Sequence, residues 1–230
     1  MSNPLLDKAT EDRLIWLRGK VHPYERIEPR KTALVVIDMQ NFFCAEDSPY
    51  GLASARAIVP AINRLADATR KGGGLVVWIQ MAYDDRWSNF YGAMLSPTLR
   101  AQLREGLKPG SPGYAVWPKL AVRDGDVAME KIRFSAFLPG YCELPDVLRA
   151  RGLDTVLITG TLTNTCCETS ARDAIMTGFR CVMISDGCAA ALDSAHTATL
   201  RNFLQVSGDV RSADEAIALL QKSAAAAAVV

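Results

Sequence analysis

Five short apolar blocks punctuate the chain, each bounded by polar residues or glycine: "TALVVID" (32–38), "GLVVWIQM" (74–81), "DVAMEK" (126–131), "DTVLITG" (154–160) and "FRCVMISD" (179–186). A weaker sixth is "GDVRS" (208–212). The blocks are rich in β-branched residues and show no alternation of apolar and polar positions. That is the pattern of strands covered on both faces, as in a parallel sheet. Between them the pattern changes to helical spacing, at 54–70, 143–151, 166–177 and 194–206, with an alanine-rich helix from about 213. Strands alternating with helices predict an α/β fold, a three-layer sandwich around a doubly wound sheet, in one domain spanning 1–230.

Two regions break the alternation. Residues 1–30 form an arm with one helical stretch around "EDRLIWL", and 82–125 is a long insertion that mixes helix ("SPTLRAQLREGL") with "KPGSPGYAVWP". Insertions of this length commonly serve as lids or partner surfaces. The final "SAAAAAVV" reads as a helix end that frays. In an open parallel sheet, ligands bind beyond the carboxyl ends of the strands, near the point where the winding reverses. The positions to inspect are therefore Asp38, the stretch from Gln80 to Tyr83, Lys131, the 160–166 turn and Asp186.

Composition narrows the options. A net charge of +1 gives no electrostatic reason to expect nucleic acid or a membrane surface as partner. No apolar run reaches the eighteen or so residues of a membrane span. The charged N-terminus has no apolar core followed by a cleavage site, so a cytoplasmic protein acting on a small molecule is expected. Six cysteines without a repeated C-x-x-C pattern read as reduced thiols, and with only His22 and His196 a structural zinc site is not expected. Neither G-x-G-x-x-G nor G-x-x-x-x-G-K-[ST] occurs, so no nucleotide cofactor is expected. The run Gly72–Gly73–Gly74 reads as a helix stop ahead of a strand.

The chemistry concentrates in "ITGTLTNTCCETSARDAI". A helix starting near Thr165 would place Cys167, Ala171, Ala174, Ile175 and Gly178 on one apolar stripe, and Cys166 beside Ser170, Asp173 and Thr177. On that reading Cys167 packs and Cys166 faces the strand-end crevice. A helix N-terminus favours thiolate, but a thiol of ordinary pKa is only about 3% ionised at pH 7, so a base and a cation would matter. Asp38 offers a carboxylate that is equally consistent with a turn or cap. Lys131 offers a cation that is equally consistent with a surface lysine.

"ALVVIDMQNFF", "EKIRFSAF" and "ITGTLTNTCCETSARDA" together resemble the three signatures of the isochorismatase-like cysteine hydrolases, in the same order and spacing over roughly residues 31–210. The resemblance implies a six-stranded, mostly parallel sheet in the order 3-2-1-4-5-6. It also implies a triad of Asp38, Lys131 and Cys166, a cis peptide at Thr161–Leu162, and an oxyanion hole from the backbone N–H groups of Leu162 and Cys166. No metal or organic cofactor is implied, and a homo-oligomer, dimer or tetramer, is. Isochorismatases proper carry no cysteine at the nucleophile position. Metal-dependent nicotinamidases carry histidines after the second strand, where this chain reads "QMAYDDRWSNFYG". Asn164, where many members have aspartate, resembles the ureidoacrylate amidohydrolase branch, whose broader group also acts on biuret, triuret and carbamoylsarcosine.

The expected activity is hydrolysis of a small ureido, carbamoyl or carboxamide substrate through a thioester. The alternatives are a nicotinamidase-like hydrolase of an aromatic carboxamide, or a non-catalytic protein using Cys166 as a redox or binding thiol. Candidate substrate contacts are Gln40, Asn41 and Asn164, Arg133 for a substrate carboxylate, Phe137, and Tyr83 and Trp87 in the insertion. For Arg133 a structural ion pair is an equal alternative.

Overall fold

The computed structural model describes residues 6–227. Its six strands are β1 (Thr32–Ile37), β2 (Leu75–Met81), β3 (Val127–Lys131), β4 (Thr155–Thr161), β5 (Arg180–Ala189) and β6 (Asp209–Arg211). They form one sheet in the order β3-β2-β1-β4-β5-β6, and every strand pair is parallel. The helices are α1 (Lys8–Arg18), α2 (Asn41–Cys44), α3 (Ala53–Ala57), α4 (Val59–Lys71), α5 (Ser88–Met94), α6 (Pro97–Gly106), α7 (Leu144–Ala150), α8 (Glu168–Met176), α9 (Asp193–Val206) and α10 (Ala213–Ala227).

The four central strands, β2, β1, β4 and β5, each feed two cores. Ala33, Val35, Ile37, Val156 and Ile158 point to one face, where Leu144, Leu148, Ala171, Ala174 and Phe203 of α7, α8 and α9 meet them. Leu34, Val36, Val76 and Leu157 point to the other, against Ile62 and Leu65 of α4 and Leu220 of α10. Both faces being covered explains why the central strands carry no polar alternation. Each fully buried aliphatic side chain contributes roughly 1.5–3 kcal/mol, so this double layer fixes the strand ends firmly.

Two details differ from the sequence reading. β3 lies at the sheet edge, and its Ala128 and Glu130 are exposed, so it is not buried on both faces. The helix expected over 54–70 is two helices that meet at Ile58. Pro60 in the first turn of α4 has no N–H to continue the earlier helix. The arm packs onto the domain: Leu14 is fully buried in the core. His22 Nδ1 lies 2.7 Å from Asp209 of β6, and the Tyr24 carbonyl accepts from Arg211 at 3.2 Å. α10 runs to Ala227, and the last three residues of the alanine-rich end expected to fray lie outside the described residues. As expected, Gly72 caps α4, and Gly73 takes a φ of 79° before β2.

The winding reverses between β1 and β4, whose carboxyl ends lie side by side with Ile37 opposite Gly160. This close approach needs glycine. A Cβ at residue 160 would sit 2.0 Å from the Ile37 carbonyl oxygen, and its φ is 111°.

Candidate active site

β1 ends in Asp38, which holds a φ of 55°, a left-handed conformation uncommon for a non-glycine residue. β3 ends in Lys131, and β4 leads through a cis Thr161–Leu162 peptide into a π-helical turn at Thr163–Cys167. The turn corrects the expected start of the helix. Cys167 N–H donates to the Leu162 carbonyl at 3.1 Å, five residues back, and α8 begins only at Glu168. The predicted division of the two cysteines holds in outline. Cys167 is fully buried in the core with Ala171 and Ala174, while Cys166 lies at the floor of a cavity.

Lys131 Nζ stands 2.8 Å from Asp38 Oδ2, and both side chains are buried (0% and 1% exposed). The ammonium also donates to the Arg133 carbonyl at 3.1 Å and contacts Met81 Sδ at 3.3 Å. Neither Asp38 oxygen has a further partner with good hydrogen-bond geometry, so the carboxylate keeps acceptor capacity toward the cavity. Burial raises the Asp38 pKa above the ordinary carboxylate value, and the attraction of Lys131 only partly offsets it. Burial alone would depress Lys131, but attraction to Asp38 and Cys166 outweighs it and the ammonium is held firmly.

Cys166 departs from expectation. Burial pushes its thiol well up, Asp38 adds to the shift, and Lys131 only moderates it. That direction favours a neutral thiol beside the ion pair over a preformed thiolate. Burial thus acts against the lowering expected at a helix N-terminus.

The cavity above this floor has a volume of about 440 Å³. Its walls come from the segment after β1 (Phe43, Tyr50, Leu52), from the insertion (Phe90, Tyr91, Met94, Leu95, Leu103, Leu107) and from Phe134; Thr161, Leu162 and Thr165 complete the side nearest Cys166. The insertion is thus a wall of the site, as its length suggested. Tyr91 stacks on Tyr83 at 4.7 Å between ring centroids, and Phe90 stacks on Trp87 at 4.3 Å.

Several candidate substrate contacts are committed elsewhere. Gln40 is fully buried: its Nε2 donates to the Met81 and Tyr114 carbonyls at 3.1 and 2.9 Å, and its Oε1 accepts from Met81 N–H at 2.8 Å. It splices β1 to β2 and the insertion, so its amide is not available to substrate. Asn41 likewise ties the insertion down through Pro112 O at 2.8 Å, away from the cavity wall. Arg133 pairs with Asp84 at 2.8 Å and lies over the rings of Trp87 and Tyr141. Burial alone would raise Asp84, but Arg86 and Arg133 overcome it and hold its carboxyl at about 2. The structural alternative for Arg133 is the one observed.

Phe137 is a core residue edge-on to Phe179, and Asn164 is exposed and off the cavity wall. Tyr83 and Trp87 form a second layer behind Tyr91 and Phe90. Phe43, Tyr50, Leu52 and Phe134 were missed. "NFF" directly after the Asp38 strand end and "RF" just after Lys131 were the available signals, since both place aromatic side chains at the sheet's ligand-binding edge. Among the described residues no three of His, Cys, Asp and Glu converge as a metal site, and no helix is long and apolar enough to cross a membrane.

Comparison with known proteins agrees with this architecture. The isochorismatase family protein YwoC of Bacillus subtilis is 32% identical over 194 residues, covering 82% of this chain and 94% of its own. A ureidoacrylate amidohydrolase, RutB of Rhizobium rhizogenes, is 31% identical over 179 residues, 70% of this chain and 71% of its own. The crystal structure of a cysteine hydrolase from Pseudomonas syringae superposes with a TM-score of 0.78 at 27% identity, covering 87% of this chain and 97% of its own. The Isochorismatase domain matches residues 32–215, which contain every strand and the whole site. With a matching sheet order and that span, the chain belongs to the isochorismatase-like hydrolase family.

Proposed function

We propose that this protein is a cysteine amidohydrolase that cleaves the C–N bond of a small ureido, carbamoyl or carboxamide substrate. The observation that carries the reading is the buried Asp38–Lys131 pair at 2.8 Å with the Cys166 thiol beside it at the floor of a cavity. The amide-hydrolysing relative named above adds support.

The roles follow from the charges. Because the resting thiol is neutral, its proton passes to Asp38 as Sγ attacks the substrate carbonyl, and Lys131 stabilises the anion wherever it resides. The N–H groups of Leu162 and Cys166 hold the developing oxyanion. Asp38 then returns the proton to the departing nitrogen, the C–N bond breaks, and a thioester remains. A water molecule gives its proton to Asp38 and adds to the thioester. The C–S bond breaks and the thiolate takes the proton back. Acid and ammonia or amine leave, and the site is restored.

The test is ammonia release from a panel of ureido, carbamoyl and carboxamide compounds by chelator-treated protein. Turnover abolished in Cys166→Ala and kept in Cys167→Ala supports the proposal. Turnover that persists in Cys166→Ala would sink the assigned nucleophile.

A further inference from the structure

Resting on the amidohydrolase reading, we infer that the substrate is an uncharged amide with a compact apolar or aromatic body, and that carboxylate-bearing amides are excluded. The cavity has one formal charge at its surface, the anionic Asp38, and no lysine, arginine or histidine among the described residues that line it. The cations nearby are already committed. Lys131 is held by Asp38, Arg133 by Asp84, and Arg104 pairs with Asp85 while lying over the Tyr83 ring.

A substrate carboxylate entering this space would lose its water, find no counter-ion and face the Asp38 carboxylate. An apolar ring would meet Phe43, Tyr50, Phe90, Leu103 and Phe134 instead. The cavity, at about 440 Å³, lies in the small-molecule range and has room for a ring or a branched acyl group. Tyr91 adds a neutral polar group to those of Thr161 and Thr165 on the wall. It lines the cavity at 2% exposure, its hydroxyl is buried without a partner, and burial keeps it protonated. A neutral hydroxyl suits an uncharged polar atom of the ligand. This separates the chain from its relative named for ureidoacrylate, a carboxylate, although the two share the fold and the family.

Matched amides that differ by one charge provide the test: benzamide against 4-carboxybenzamide, and a branched aliphatic amide against its carboxylated analogue. Binding is measured by calorimetry on the Cys166→Ala protein, and turnover on the native enzyme by ammonia release. The neutral member of each pair is expected to bind about 30-fold or more tightly than its carboxylated partner. Met94→Lys, at the exposed rim of the cavity, should move that ratio about tenfold toward the carboxylate. Equal or tighter binding of the carboxylates would overturn the inference and leave the amidohydrolase reading intact. Preferential binding of the neutral amides with no ammonia released by the native enzyme would overturn the amidohydrolase reading and leave the cavity's preference standing.

Discussion

At the residue scale the site works by desolvation held in check by one ion pair. Removing the ammonium while keeping the volume, as in Lys131→Met, strands a buried carboxylate. That should cost about 3–5 kcal/mol of stability and lower kcat/KM by roughly 10²–10⁴-fold. Thermal unfolding and ammonia release read the two effects, and a variant that melts normally and turns over at the native rate would contradict them. Proton affinities set the pH profile in the same way. In the proposed mechanism Asp38 must be ionised to accept the thiol proton, and its pKa is raised. Activity should therefore fall as the pH drops through a value above the ordinary carboxylate 3.8, and recover as pH rises. Lys131 is raised above 10.5, so its deprotonation should not cut activity at any lower pH. A kcat/KM profile measured from pH 4 to 9, with an acid limb above 3.8 and no fall before pH 9, is the expected result.

At the element scale, strand ends do the positioning, and they were the readable part of the sequence. Apolar blocks followed at once by Asp38, Lys131 and the glycine-to-cysteine turn mark the strand ends within a few residues, while the sheet order and the grouping of these three residues came from the family resemblance. Long-range partnerships could not be read in either way. Gln40 is spent on Met81 and Tyr114, 41 and 74 residues away, and Arg133 on Asp84, 49 residues away. No local pattern distinguishes such residues from free substrate ligands. The π-helical turn was equally hidden, because the same small polar residues suit the start of an α-helix. Gly160 is the element-level linchpin: β4 lies against β1 there with no room for a side chain. Gly160→Ala combines a left-side φ with a backbone clash and should cost about 2–5 kcal/mol, lowering Tm by roughly 5–15 °C for a chain of this size. Calorimetry checks it, and an unchanged Tm would show that the β1–β4 contact is more yielding than its geometry indicates.

At the scale of the whole molecule, burying thiols throughout a double-layered core ties stability to alkalinity. Burial raises Cys44 to about 12 and also raises Cys142, Cys166, Cys167 and Cys181 above the ordinary 9.0. The six cysteines are all free. In the folded chain these five thiols keep their protons, while in the unfolded chain they ionise near 9.0, so unfolding releases protons above that pH. Their contribution is fully present below 9.0 and is lost as pH rises from there through each thiol's raised folded value, about 12 for Cys44, at up to about 1.4 kcal/mol per pH unit for each thiol. Melting temperature under reducing conditions should therefore hold between pH 7 and 8.5 and then fall with increasing slope. Replacing one contributor, as in Cys44→Ala, should lower the plateau through the cavity it leaves and make the alkaline slope shallower. A slope unchanged by that substitution would move the cause elsewhere. A shallower one would assign part of the alkaline loss of stability to the buried Cys44 thiol.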